Sequence, residues 1–217
     1  MVDLGSSGPQ RIYDRVAVIY DLYSAPMEWM GGRRRRRRLF SRARGEVLEV
    51  GVGTGQNLAS YPEGVQVTGI DISPRMLARA RPRAAASPAD VTLLTADVER
   101  LPFEDDRFDV ASATCVFCSV GDPVRGLREL RRVVAPEGRV LLLEHVRPRN
   151  PVLGLLADLL SPLTRRLFGP EINRRTEHHV QAAGLELVSV RREGVWREIE
   201  ARPSADGADG DSRRDPG

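Results

Sequence analysis

Three glycines and three acids are spaced so that together they could hold a nucleotide-like ligand. Glu49-Val50-Gly51-Val52-Gly53-Thr54-Gly55-Gln56 follows directly on Val47-Leu48. Glycines at alternate positions let the chain turn sharply and let a ligand lie against backbone with no Cβ between them. The pattern predicts a strand, a tight loop and a helix beginning near Gln56. The free N–H groups of such a helix would favour an anionic group at the loop. Asp71 lies twenty residues beyond Gly51 at the end of a second apolar run. A carboxylate there can accept from both hydroxyls of a ribose. Asp97 ends a third run. His145 offers an imidazole that titrates near neutrality and can take a proton.

Other nucleotide loops fit less well. The dinucleotide fingerprint G-x-G-x-x-G requires glycine where this chain has Gln56, and a phosphate-binding G-K-[ST] does not follow. A glycine loop by itself is also an ordinary tight turn, so its weight comes from Asp71 and Asp97 downstream. Cys115-Val116-Phe117-Cys118 has the spacing of a redox site or half a zinc site. It falls at a strand end rather than a helix N-terminus, and no second ligand pair accompanies it. It is therefore read as two small residues beside the crevice, and no metal is expected.

Strands and helices alternate around these residues. Val47–Val50 suits a strand buried on both faces. Further strands are predicted at 65–71, 91–97, 108–114 and 140–146. Ser73-Pro74 and Asp122-Pro123 are helix starts, each with an N-cap followed by a first-turn proline. Met76, Leu77 and Ala80 of the first of these helices would face the sheet; Val124, Leu127, Leu130 and Val134 of the second share one face, and Pro136-Glu137-Gly138 should stop it. A late helix ends at Gly184, and 185–190 with 195–201 suit a closing antiparallel pair. Upstream, Ile12, Tyr13, Val16, Ile19 and Tyr20 recur at helical spacing, which predicts one amphipathic helix over 10–22. It can be a core-packed helix or a lid. Arg33–Arg38 is an unbroken run of arginines, read as a helix before the first strand with arginines in solvent, or as a contact for anionic membrane. Nucleic acid is not expected, because no aromatic platform accompanies the run. A leucine-rich stripe at 152–168, interrupted by Pro162, lies where α/β folds build substrate pockets; its alternative is a cover on the core.

Composition sets the bounds. The chain has 217 residues and a formal net charge of +3, with every basic residue other than histidine an arginine. That length suits one domain, expected over 10–202, with 10–44 as N-terminal lid helices and 147–175 as a substrate-side insertion. Residues 1–9 and 203–217 are polar and rich in small residues and are predicted to be disordered. Two cysteines do not make a disulfide framework and fit a reducing compartment. The N-terminus lacks the features of a signal peptide, and no apolar run is long enough to span a bilayer, so a cytoplasmic location is expected, with peripheral contact at the inner face of the membrane as an addition.

With E-x-G-x-G-x-G, Asp71, and Asp97 followed by Leu101-Pro102-Phe103 in place, the chain resembles the class I S-adenosylmethionine (SAM) methyltransferases from about residue 11 to 202. Tyr13-Asp14-Arg15-Val16-Ala17 and Ile19-Tyr20-Asp21 look like the opening of ubiquinone/menaquinone and phosphatidylethanolamine methyltransferases. Thr114–Val120, Leu143-Glu144-His145-Val146 and Phe168-Gly169-Pro170 look like bacterial phosphatidylethanolamine N-methyltransferases and thiol methyltransferase-like proteins. The resemblance implies a Rossmann-like α/β fold: a mostly parallel seven-stranded sheet with a C-terminal antiparallel hairpin and helices on both faces. It implies SAM as cofactor. Glu49, Gly51, Gly53 and Gly55 would surround it from the first loop, and Asp71, Ile72 and Met76 from the second. Asp97 and Val98 would hold the adenine end, Thr114 and Cys115 the fourth strand's end, and Tyr20 the lid. The acceptor it implies is a hydrophobic or lipid-like molecule, such as the amine of phosphatidylethanolamine, or else a small thiol or a quinone. An amine or thiol must lose a proton, for which His145 is the candidate base. The rival readings are an NAD-dependent oxidoreductase and a non-catalytic arginine-rich binding protein. The oligomeric state is not legible.

Overall fold

The computed structural model describes residues 8–145, 155 and 176–204. Seven strands form one sheet: β1 (Glu46–Val50), β2 (Gln66–Asp71), β3 (Asp90–Thr95), β4 (Phe108–Thr114), β5 (Val134–His145), β6 (Leu185–Glu193) and β7 (Trp196–Pro203). Their order is β3-β2-β1-β4-β5-β7-β6. β1 to β5 pair in parallel, and β7 runs antiparallel between β5 and β6. The order reverses beside β1, so a crevice opens beyond the carboxyl ends of β1 and β4, where such sheets bind ligands.

Apolar residues on both sides of each central strand explain why the sheet is covered twice. Leu48, Ala111 and Leu142 pack with Leu127 and Leu130 on one face. Val47, Val110 and Leu141 pack with Leu39, Phe40 and Tyr61 on the other. The covering helices are α1 (Gly8–Val16), α2 (Tyr20–Met27), α3 (Arg33–Phe40), α4 (Pro74–Ala85), α5 (Pro123–Val133) and α6 (Thr176–Ala182), with a π-helical turn at Glu28–Gly32. The two cap signals hold: Ser73 Oγ accepts from Met76 N at 3.1 Å and Asp122 Oδ1 from Arg125 N at 3.0 Å.

Several expectations are corrected. No helix starts at Gln56; a single 3₁₀ turn, Leu58–Ser60, occupies that stretch. Tyr61 is buried and extended, and Pro62 follows, so too few residues remain to nucleate an α-helix. The helix expected over 10–22 is two helices with a break after Val16, where Val16, Val18 and Ile19 place β-branched residues that fit a helix poorly. β5 starts at Val134, directly after α5, and runs through Pro136-Glu137-Gly138, with a register shift against β4 between Phe108 and Val110. Residues 135–138 have no sheet partner among the described residues at that shift, so Pro136-Glu137-Gly138 still forms an irregular turn within the strand, and regular pairing resumes at Arg139. α1 begins at Gly8 and β7 ends at Pro203, each slightly beyond the expected domain limits of 10 and 202. Apart from Leu155, the stripe at 152–168 and the insertion at 147–175 lie outside the described residues.

The arginine run is α3, and its charges are divided. Arg35 and Arg38 reach across to Glu193 and Glu198 on the β6–β7 hairpin, at 2.8 Å for Arg35–Glu193 and 3.1 Å for Arg38–Glu193. Arg36 turns inward, is buried and pairs with Glu28. Arg33, Arg34 and Arg37 are exposed.

Candidate active site

The crevice holds a cavity of about 310 Å³. Gly51 and Gly53 line it from the loop after β1, and Asp71, Ile72 and Met76 from the β2–α4 junction. Asp97 and Val98 follow β3, Thr114 and Cys115 end β4, and Tyr13 and Tyr20 close it from α1 and α2. Of the residues singled out from sequence, Glu49 and Gly55 do not line the cavity. His145, the candidate base, does not line it either: it ends β5 opposite Trp196 of β7, and burial lowers its pKa, keeping the imidazole neutral.

The three glycines have three different reasons to be glycine. All have positive φ. A Cβ on Gly51 would strike the Val116 side chain, and one on Gly55 would lie 3.0 Å from Leu58 and 3.3 Å from Ala80. A Cβ on Gly53 would meet protein no nearer than the Gly51 carbonyl at 3.9 Å, so Gly53 alone opens onto free space on the cavity side.

Asp71 joins two elements. Its Oδ2 accepts from Gly53 N at 2.9 Å and its Oδ1 from Ser73 N at 2.8 Å. Burial pushes its pKa up to about 6, against the opposing pull of those two N–H groups. Asp97 Oδ1 accepts from Glu99 N at 2.9 Å, shaping the turn that follows β3. Glu49 lies beneath the loop: it is fully buried, accepts from Asn57 Nδ2 at 2.8 Å, and is pushed up to about 7 by burial. Its role here is to brace the turn through Asn57.

The lid is fastened by two acids that sequence reasoning did not single out. Asp21 on α2 accepts from Thr54 Oγ1 at 2.6 Å, from Gln56 Nε2 at 3.0 Å and from Arg83 Nη2 at 2.9 Å. Burial raises the Asp21 pKa, but these donors outweigh it and hold it at about 2. Asp14 on α1 accepts from Ser73 Oγ at 2.6 Å. Tyr13 donates to Ser119 Oγ at 2.6 Å, and burial raises both Tyr13 and Tyr20, so both phenols stay neutral. The sequence signal was the presence of Thr54 and Gln56, two hydrogen-bonding side chains in a loop otherwise built from small residues. Tyr13, Val16, Ala17 and Tyr20 pack inward with Met76, whereas Val18, Ile19 and Leu22 are exposed.

Cys115 and Cys118 are thiols outside any disulfide; Cys118 Sγ donates to the Cys115 carbonyl at 3.1 Å. Among the described residues no cluster of three or more His, Cys, Asp or Glu side chains could hold a metal ion.

Comparison with known proteins agrees with this geometry. Residues 48–142 match the model of a methyltransferase domain family. A demethylmenaquinone methyltransferase of Thermus thermophilus is 34% identical over 67% of this chain and 69% of its own length. A phosphatidylethanolamine N-methyltransferase of Cereibacter sphaeroides is 40% identical over 50% of this chain and 55% of its own. A solved SAM-dependent methyltransferase of Thermotoga maritima superposes with a TM-score of 0.70 at 21% identity, covering 89% of this chain and 99% of that one, which shows the shared fold. The chain belongs to the class I SAM-dependent methyltransferase family, whose cofactor is SAM. It spans about half to two thirds of the length of the curated relatives it matches.

Proposed function

We propose that this protein transfers the methyl group of SAM to a hydrophobic small-molecule acceptor of quinone or lipid type. The amine of phosphatidylethanolamine is within that class, and a small thiol is the second reading. The observation that carries it is the cavity itself: a glycine with open space at its Cβ position, two acids on the wall at the ends of adjacent strands and an apolar, phenolic lid.

The residues present fit SAM. Gly53 leaves room for the ligand where a Cβ would stand, and Asp71 places a buried carboxylate at the wall beside it. In this reading Asp71 accepts from the ribose hydroxyls, Asp97 from the adenine amine, and Ile72, Met76 and Val98 supply apolar surface for the base. Gly51, Thr114, Cys115 and Tyr20 complete the wall, while Glu49 and Gly55 act from behind it. The bound cofactor supplies a methyl group already activated on a sulfonium. The protein's part is therefore to position the acceptor in line and to exclude water, an effect worth about 7–11 kcal/mol when the geometry is right. His145 ends β5 off the cavity wall, so it is not placed to take the acceptor's proton, and a His145→Gln variant should keep its methyl-transfer rate at unchanged SAM affinity.

The lipid-like acceptor is supported by the relatives named above and by the outer face of the lid. Trp29 is 92% exposed and Leu22 78%, and the exposed Arg33, Arg34 and Arg37 follow in α3. That combination suits reversible contact with an anionic membrane; among the described residues no helix is long and apolar enough to cross one. Incubation with methyl-labelled SAM and, in turn, a lipid extract, demethylated quinones and a thiol panel tests the reading. Label in the lipid or quinone fraction supports it; label confined to thiols replaces it with the second reading.

A further inference from the structure

Glu144 is the most deeply buried acid that the function above leaves unused. It lies one residue before the end of β5 with no exposed surface. Its Oε1 accepts two successive backbone N–H groups, Val116 at 3.0 Å and Phe117 at 3.2 Å. Its Oε2 is buried with no hydrogen-bond partner among the described residues. The residue just before those two donors, Cys115, has φ of +52°, a left-handed conformation that side chains other than glycine rarely adopt. A left-handed residue followed by consecutive N–H groups forms a concave nest that takes an anion. Here the nest is filled by an acceptor oxygen of the protein's own Glu144 side chain.

The nest shapes the cavity. Cys115 and Val116 are both wall residues, and Val116 presses on Gly51, where any Cβ would strike it. Cys115 N donates to the Leu143 carbonyl at 2.9 Å, tying the turn to β5 a second time. A strained turn persists only when its surroundings over-determine it. Without an acceptor at the Glu144 carboxylate, two buried N–H groups lose their partner and Cys115 can relax to a right-handed or extended conformation. The wall beside Gly51 would move with it.

We propose that Glu144 is a positioning residue for the cofactor: by accepting from Val116 and Phe117 it holds Cys115 in the left-handed turn that sets the cavity wall against the glycine loop. This rests on the cavity being the SAM site. The role differs from that of a core carboxylate, because its loss should be felt in ligand affinity and should be reversible at Cys115.

The experiment is calorimetric titration of SAM into the parent and folded variants. Glu144→Gln keeps an acceptor oxygen and should bind within a few-fold of the parent. Glu144→Leu removes the acceptor and Glu144→Asp withdraws it by one methylene; each should weaken SAM at least about tenfold, equivalent to about 1.4 kcal/mol. If the leucine variant does not fold, the aspartate variant decides. Cys115→Gly, added to either weakened variant, makes the left-handed conformation free of strain and should recover most of the affinity. Parent-like affinity in both Glu144→Leu and Glu144→Asp, or no recovery with glycine at 115, overturns the proposal while leaving the SAM site intact. A parent that binds no SAM overturns the site reading itself.

Discussion

Gly53 donates its amide proton to the Asp71 carboxylate at 2.9 Å, so the loop after β1 and the acid that ends β2 form one hydrogen-bonded unit. The same carboxylate accepts from Ser73 N, at the start of α4. Three elements therefore fix the position of one side chain, and that side chain is the one whose spacing marked the site in the sequence.

Asp21 is predicted to hold the lid. Replacing it with asparagine removes the charge that Thr54, Gln56 and Arg83 share. Bonds to a charged group contribute about 1.5–3 kcal/mol, and the partial exposure of this cluster reduces that to about 1 kcal/mol. The expected result is a several-fold weaker SAM affinity and faster proteolysis within residues 10–30, with the sheet core unaffected. Parent-like protease resistance would show that the lid does not depend on Asp21.

The glycines should separate by mechanism. Gly51→Ala drives a methyl group into Val116 and should lower the melting temperature markedly. Gly53→Val meets open space, so its fold cost is the left-handed φ of +57°, about 1–3 kcal/mol, while the isopropyl group fills ligand volume and abolishes SAM binding. Thermal melts with and without SAM check both. A Gly53→Val protein still stabilised by SAM would mean that the loop is only a turn.

These pairs also show what a sequence can disclose. Strand β4 was legible because Phe108, Val110, Ala111 and Ala113 make Phe108–Thr114 a short, mostly apolar segment, and α4 and α5 because Ser73-Pro74 and Asp122-Pro123 carry their own caps. The helix after Gly55 was not, because the buried Tyr61 and Pro62 decide that stretch through tertiary packing. The pairing of Arg35 and Arg38 with Glu193 and Glu198 joins residues about 160 positions apart, and spacing cannot reveal such partners. For the same reason nothing in the spacing marks Glu144 as the acceptor for Val116 and Phe117.

Stability should fall as pH rises from acid toward neutral. Burial pushes Glu49 and Glu144 up to about 7 and Asp71 to about 6. The folded form then keeps protons that the unfolded chain releases near pH 4. Their contribution is complete below about pH 4 and is lost through about pH 6–7. Asp21, held at about 2, is ionised in both states from about pH 5 to about pH 8 and adds no slope there. His145, lowered by burial, opposes the trend as a single group. Urea midpoints without ligand at about pH 5 and about pH 8 should therefore be higher at the lower value. A higher midpoint at the upper value contradicts the buried, protonated state of these acids.

Membrane contact can be read from tryptophan fluorescence. The chain has two tryptophans, Trp29 at 92% exposure and Trp196 at 4%. Anionic vesicles should blue-shift the emission and co-sediment the protein at low salt, neutral vesicles should do neither, and Trp29→Ser should weaken both effects. Protein that remains in the supernatant with both vesicle types removes the membrane from the account and leaves the cofactor site untouched.

Calorimetry of SAM against the parent and Asp71→Ala decides whether the cavity beside Gly53 and Asp71 is the SAM site. Removing the carboxylate leaves the ribose hydroxyls without a charged acceptor, a loss of about 1.5–3 kcal/mol. Circular dichroism must first show that the variant is folded. The account predicts one site per chain in the parent and an affinity about 10–100-fold weaker in the folded variant. Equal affinity in the two proteins would place SAM elsewhere and contradict it.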